Sequence, residues 1–116
     1  MRIVLREGAA FGPGKADLLA AIDELGSIAA AGRTMGMSYQ RAWSLVDDLN
    51  RMFCEPLVAV TRGGARRGGA TLTVTGRKVL EGYRAIERAA ASSCRKELRR
   101  IGRLVRQEFP NVSGGR

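Results

Sequence analysis

The side chains best suited to specific hydrogen bonding in this sequence stand between Ser38 and Ser44. Gln40 can form a bidentate pair with adenine, and Arg41 can form one with guanine or contact a phosphate. Ser38 and Tyr39 lie in the expected first turn of a helix, where free backbone N–H groups attract anions. An ordinary solvated helix face is the alternative explanation. The pattern indicates nucleic-acid recognition, with Ser38, Tyr39, Gln40, Arg41 and Ser44 as candidate contacts.

A second candidate lies in the segment RGGARRGG, residues 62–69. Its glycines would let the backbone approach phosphates closely, and arginines suit a narrow minor groove. The segment lacks the Gly-Lys-Ser/Thr ending of a phosphate-binding loop and joins two expected strands, which argues against a nucleotide site. A loop with incidental arginines is the alternative. The candidate contacts are Arg62, Arg66 and Arg67.

The positive charge is concentrated in one half of the chain. The 116 residues carry a formal net charge of +9, and positions 62–106 hold 13 Lys and Arg against three Glu. Such a balance favours a polyanionic partner, either a nucleic acid or an anionic membrane surface. The 45% hydrophobic content is ordinary for a globular domain. No apolar run is long enough for a membrane span or a signal peptide, so we expect a cytoplasmic protein with no membrane partner.

Residue types that serve catalysis are scarce. The chain contains no histidine, which removes the commonest general base and most metal sites. Its two cysteines, Cys54 and Cys94, are too few for a disulfide framework or a metal cluster and are expected to be packed thiols. We therefore expect no enzyme, no catalytic residue, no metal and no cofactor.

Three helices are predicted around the first candidate surface. Apolar spacing over 15–25 predicts the first helix. Ser27 is placed to cap a second helix, and Gly36 can end it in the left-handed conformation. Ser38 is placed to cap a third helix, which stops before Pro56. The Gly36 turn would set one helix across a duplex while the next enters a groove.

The remaining elements are strands and one long helix. Strands are predicted at 1–7, 57–61 and 70–74, a connector at 8–14, and a last helix capped by Thr75 over about 76–106. The two later strands form a hairpin around the Gly/Arg loop. The fold class is therefore mainly α with a small β-hairpin, a winged helix-turn-helix with a long C-terminal dimerisation helix.

The last helix is expected to dimerise. Its length would span roughly 45 Å, and one small domain cannot cover so long an apolar stripe. A monomer with this helix folded across its own body is the alternative. The chain is divided into a DNA-binding domain (1–74), a dimerisation helix (75–109) and a disordered tail (110–116). The expected dimer contacts are Val79, Tyr83, Ile86, Ala90, Leu98 and Ile101.

Two stretches, GSIAAAGRTMGMSYQRAWSLVDDLN and LVAVTRGGARRGGATLTVTGRKVLEGY, carry a family resemblance. They resemble the N-terminal DNA-binding domain of the molybdate-responsive transcriptional regulator ModE, over residues 1–106. A more distant similarity runs to the helix-turn-helix of LysR-type regulators. The resemblance implies a homodimer on a palindromic operator of double-stranded DNA, with the third helix in the major groove. The wing would reach phosphates or the minor groove.

ModE proteins continue into a molybdate-binding domain, for which these 116 residues show no counterpart. The resemblance thus implies a regulator, linked to molybdate metabolism, whose effector would be sensed by a separate protein. Two other functions stay open: a non-specific architectural DNA-binding protein, and an adaptor whose basic helix docks on an acidic protein. Comparing affinity for a palindromic site with affinity for random DNA separates the first of these from a specific regulator.

Overall fold

The computed structural model describes residues 1–6, 8–61 and 69–108 as five helices and four short strands. An N-terminal hairpin precedes three helices, a second hairpin follows them, and two further helices end the described chain. The strands pair antiparallel, β1 with β2 and β3 with β4. In chain order the elements are β1 (Ile3–Arg6), β2 (Ala9–Phe11), α1 (Pro13–Leu25), α2 (Ile28–Thr34), α3 (Tyr39–Met52), β3 (Val58–Thr61), β4 (Gly69–Leu72), α4 (Val74–Ser93) and α5 (Arg95–Gly102).

The described residues divide into two compact units, Met1–Arg84 and a second that begins at Ala85. The first unit therefore extends ten residues beyond the division that we predicted at 74. Its hydrophobic core draws on every element from β2 to α4, because each presents one apolar face inward. The buried core residues are Phe11, Ala16, Leu18, Leu19, Ile22, Ile28, Ala31, Ala42, Val46, Leu49, Leu57, Val58, Ala70, Leu72 and Tyr83.

The predicted helix boundaries around α2 and α3 are confirmed. Ser27 Oγ accepts the Ala30 N–H at 3.1 Å, and Ser38 Oγ accepts the Arg41 N–H at 3.0 Å. Each serine thus satisfies one of the N–H groups that a helix start leaves without an intrahelical acceptor. Gly36 has φ +70°, the left-handed conformation that only glycine adopts at low cost.

The N-terminal hairpin was only half predicted. Residues 9–11 form β2, where we expected a connector, and they pair with β1 through the register Ile3–Phe11 and Val4–Ala10. Three residues are too few for the two-residue alternation of a strand to stand out in the sequence. Gly8, with φ +82°, makes the tight reversal between the strands.

Asn50 connects α3 to β3. Its Oδ1 accepts the backbone N–H of Leu57 at 2.8 Å and that of Val58 at 3.0 Å, and its Nδ2 donates to the Val58 carbonyl at 3.2 Å. One amide side chain therefore satisfies three backbone groups where the chain enters the second hairpin. The Leu57 and Val58 side chains are both buried.

The last helix begins earlier than predicted. Thr73, and not Thr75, supplies the cap, since its Oγ1 accepts the Gly76 N–H at 2.9 Å. Thr75 Oγ1 instead donates to Glu55 Oε1 at 2.6 Å. Tyr83 closes the core from this helix: its ring meets Phe11 edge-on at 5.1 Å, and its hydroxyl donates to the Met1 carbonyl.

The single helix predicted over 76–106 is two helices. Cys94 interrupts it with φ −107° and ψ 24°, although Cys94 N–H still bonds to the Ala90 carbonyl. The successive weak helix formers Ser92, Ser93 and Cys94 account for a break at this point. Beyond α5 the bonds tighten to three-residue spacing, Leu104 to Ile101 and Val105 to Gly102. Cys54 and Cys94 are both exposed free thiols, so the expectation that they are packed is wrong.

Candidate nucleic-acid interface

The first half of α3 carries the predicted contact residues on one exposed surface. All five side chains are exposed, and Tyr39 is 59% accessible. The opposite side of α3 is buried through Ala42, Val46 and Leu49. We call the exposed set the recognition surface; its members are Ser38, Tyr39, Gln40, Arg41 and Ser44.

The turn before α3 is fixed by close packing as well as by hydrogen bonds. The Met37 N–H donates to the Gly32 carbonyl at 2.9 Å, across the turn that contains Gly36. A Cβ added to Gly32 would lie 2.9 Å from the Ala42 methyl, closer than side chains approach without displacement. Because glycine and alanine meet here, α2 and α3 pack almost backbone to backbone.

Trp43 lies between the core and the recognition surface. Its partly buried ring packs against the core cluster. Tyr39 meets it edge-on at 6.2 Å, so the more exposed aromatic ring is held by the less exposed one. The buried Nε1 has no hydrogen-bond partner among the described residues.

The charges along α3 change sign from one end to the other. Arg41 lies in the first turn, whereas Asp47 and Asp48 are exposed near the middle of the helix. Asp47 forms an i,i+4 ion pair with Arg51, which offsets part of that negative charge. An approaching phosphate is therefore attracted most strongly to the N-terminal half, where the partial positive charge of the helix also lies.

Ser38 performs a structural task that can be tested. We expect Ser38→Ala to lower the free energy of unfolding by about 1 kcal/mol, because the Arg41 N–H loses its acceptor. Ser38→Asn retains a capping oxygen and should stay within a few tenths of a kcal/mol of the parent chain. Urea denaturation of the three proteins measures both values. Equal stability of Ser38→Ala and Ser38→Asn would contradict a capping role.

The wing arginines Arg62, Arg66 and Arg67 lie outside the described residues, as does the predicted tail 110–116. The strands that bear the loop are in place, with Thr61 paired to Gly69. The hairpin therefore exists as predicted.

The six predicted dimer contacts do not share one environment. Tyr83 is removed from the set because it is buried in the core of its own chain, and Val79 also packs against that core. In the second unit, Ile86 is 43% exposed, Leu98 56% and Ile101 62%. Ala90 is half-buried. Leu104 and Val105, which we did not predict, are also exposed.

Residues 1–6, 8–61 and 69–108 hold no cluster of three or more His, Cys, Asp or Glu side chains placed to bind a metal ion. Over the same ranges, no helix is both long and apolar enough to cross a bilayer.

Sequence reasoning missed two features near the recognition surface. Asn50 falls on the inward side of the helical period of α3, and a polar side chain at such a position is a recognisable signal of a buried hydrogen bond. Arg2 and Lys15 were not singled out at all. They lie with Arg41 around one cleft, and only the three-dimensional structure brings them together.

Comparison with known proteins finds relatives that are named for molybdenum-pterin binding, molybdenum transport or transcriptional regulation. No family model matches the chain. The molybdenum-pterin-binding protein MopB of Rhodobacter capsulatus is 43% identical over 89 residues, which are 77% of this chain and 33% of MopB. The molybdenum transport protein ModE of Azotobacter vinelandii is 40% identical over 80 residues, 69% of this chain and 30% of that protein.

Another relative, with lower sequence identity, is named as a regulator of transcription. The DNA-binding transcriptional dual regulator ModE of Escherichia coli K12 is 34% identical over 71 residues, 61% of this chain and 27% of its own length. The chain thus spans about a third of the length of the curated relatives that it matches. The resemblance to ModE is thus matched by relatives that bear this name.

The fold has a counterpart among solved structures. The crystal structure of the CbnR DNA-binding domain in complex with DNA superposes with a TM-score of 0.58 at 23% identity. The match covers 76% of this chain and 95% of the CbnR chain. At that identity the likeness establishes the fold, a winged helix-turn-helix, and the sequence prediction of this fold class is confirmed.

Proposed function

We propose that this chain is a sequence-specific DNA-binding transcriptional regulator of the ModE type. It binds a palindromic operator as a homodimer, acts in the cytoplasm and performs no enzymatic step. The observation that carries the proposal is the exposed recognition surface at the start of α3, held at a fixed angle by the Gly36 turn and the Gly32–Ala42 contact. An exposed Gln-Arg pair behind such a turn is suited to base edges in a major groove.

The relatives support this choice among polyanion-binding functions. Proteins named ModE share 31–40% identity with this chain over 71–88 residues, and one of them is named a DNA-binding transcriptional dual regulator. Other relatives are named for molybdenum transport or molybdenum-pterin binding. The regulated genes are accordingly proposed to serve molybdate metabolism.

The homodimer is proposed from the second unit. This unit exposes apolar side chains among many basic residues. A second copy of the chain could cover this exposed apolar surface. A two-fold protein would read a two-fold site, with half-sites about one helical turn or a multiple apart. The proposed contacts are Ile86, Ala90, Leu98 and Ile101.

Selection of bound sequences from a random duplex pool tests the proposal, with the bound complex sized to count subunits. An enriched palindrome bound by two chains is the expected result. Salt-sensitive binding with no enriched sequence would move the protein to the architectural class. Failure to bind any duplex would favour the third function, that of an adaptor that docks on an acidic protein.

Arg41 is the residue whose loss should most weaken DNA binding. We expect Arg41→Ala to reduce operator affinity by about 1–3 kcal/mol, at least fivefold, because a bidentate base or phosphate contact is lost. Arg51→Ala is the matched control: it lies on the same helix, makes the same charge change, and is engaged with Asp47. Titrations at one salt concentration measure both. An equal loss in the two variants would indicate a general charge effect and no specific contact.

A further inference from the structure

A cleft of about 390 Å³ opens within the first compact unit, where the N-terminal hairpin meets the helix-turn-helix. The hairpin and the first turn of α1 form one wall, and the turn with the start of α3 forms the other. We call this the hairpin cleft. Its lining residues are Arg2, Ala10, Gly12, Pro13, Gly14, Lys15, Met35, Met37, Arg41 and Leu45.

Three cations and no carboxylate line the hairpin cleft, as far as the described residues show. Arg2 and Arg41 are exposed, and Lys15 is half-buried. The Lys15 Nζ donates to the Ala10 carbonyl at 2.7 Å, a bond that aims the ammonium group and leaves it two further donors. Positive charge gathered in a concave surface attracts and concentrates anions.

Two arginines of the same unit that lie outside the cleft are paired with carboxylates. Arg77 pairs with Asp23 at 2.9 Å, and Arg84 pairs with Asp17 at 2.9 Å. By contrast, the described residues provide no ion-pair partner for the three cleft cations. The positive charge of the cleft is therefore not offset by a paired carboxylate among the described residues.

The cleft adjoins the recognition surface through Arg41, which belongs to both. An anion in the cleft would therefore lie beside the first turn of α3. The rest of the lining is apolar, from Pro13, Met35, Met37 and Leu45. This combination of cations and apolar contacts suits a phosphate followed by a deoxyribose, whereas a simple inorganic anion would use only the cations.

We propose that the hairpin cleft binds a phosphodiester of the DNA backbone, with Arg2 and Lys15 as phosphate-binding residues in addition to Arg41. The proposal rests on the proposed function, since it needs α3 to approach a duplex. It extends the DNA contact to the N-terminal hairpin. Phosphate contacts of this kind fix the position of a domain on the duplex without reading its sequence.

Salt dependence measures whether phosphates are contacted. We expect Arg2→Gln and Lys15→Gln each to lower the slope of log affinity against log salt concentration by about 1, for the operator and for random duplex alike. Arg6→Gln, on the same hairpin but outside the cleft, is the control for Arg2→Gln. Lys78→Gln, on the exposed side of α4, is the control for Lys15→Gln. Thermal unfolding of each variant confirms that the domain remains folded.

Neutral phosphates identify the contact itself. A series of operator duplexes, each with one phosphate replaced by an uncharged methylphosphonate, is titrated with the parent chain and with the Arg2→Gln/Lys15→Gln double variant. We expect one or two replacements to weaken the parent severalfold and the double variant hardly at all, because the same contact cannot be lost twice. If the loss of affinity caused by each phosphate replacement were the same in the double variant as in the parent chain, the proposal would be overturned.

The remaining outcomes separate this proposal from the proposed function. Operator binding that falls with Arg41→Ala but keeps its affinity and salt slope in the Arg2 and Lys15 variants overturns the cleft proposal alone. Absence of duplex binding by the parent chain overturns both. Inorganic phosphate, titrated at constant ionic strength, tests the other source of the anion. Saturable binding that requires Arg2 and Lys15, with DNA affinity unchanged by their loss, would assign the cleft to a free anion and overturn the DNA contact.

Discussion

Gly76→Ala is expected to lower the free energy of unfolding by about 3 kcal/mol, a large share of the stability of a small domain. Gly76 is buried in the first turn of α4, directly against the chain that enters β3. An added methyl group would overlap the Leu57 carbonyl oxygen and stand 3.0 Å from the carbonyl carbon. Backbone atoms cannot move aside as a flexible side chain can, so α4 and β3 must separate. Urea denaturation measures the loss.

Gly82→Ala is the matched control, on the same helix six residues later. No heavy atom of the described residues lies within 4 Å of the position its Cβ would take. The substitution should stabilise the domain by about 0.5–1 kcal/mol, because glycine loses more backbone freedom in a helix than alanine. The two substitutions are thus expected to change the free energy of unfolding in opposite directions. A stabilised Gly76→Ala would show that α4 does not press on Leu57.

Asn50→Ala, on α3, is expected to lower the free energy of unfolding by about 3 kcal/mol. It removes the acceptor of the Leu57 and Val58 N–H groups and the donor to the Val58 carbonyl. A buried polar group that loses its partner costs about 1–3 kcal/mol, and two donors are affected here. Asp48→Ala, at an exposed position of the same helix, should remain within about 0.5 kcal/mol of the parent.

Amide hydrogen exchange locates the effect of Asn50→Ala. The Leu57 and Val58 amides should exchange faster, and α1 should keep its protection up to the limit set by global unfolding. Loss of stability without selective acceleration at these two amides would argue that Asn50 contributes through packing and not through its hydrogen bonds.

The helix-turn-helix could be predicted because its signals are local. Ser27 and Ser38 cap helices by accepting an N–H three residues ahead, and Gly36 ends a helix by its own backbone freedom. Gln40 and Arg41 are exposed because the helical period of α3 buries the opposite side of the helix, including Ala42. Each inference needs no more than four or five consecutive residues.

Contacts between distant segments could not be predicted. Thr73 and Thr75 are equally good caps by residue type, and the choice depends on Thr75 reaching Glu55. The helical period places Tyr83 on an apolar stripe, but it does not say whether that stripe faces the core of the same chain or a second chain. The contact with Phe11 shows that Tyr83 faces the core of its own chain. The hairpin cleft joins Arg2 to Arg41 and lies beyond any local pattern for the same reason.

The close approach of Gly32 to Ala42 has a consequence for how such a domain can diversify. The angle between α2 and α3 depends on the volume of two small buried residues, whereas the recognition surface lies on the opposite, exposed side of α3. Substitutions on that surface can therefore change its chemistry while the angle is preserved. We expect positions 32 and 42 to be coupled, so that a gain of volume at one requires a loss at the other.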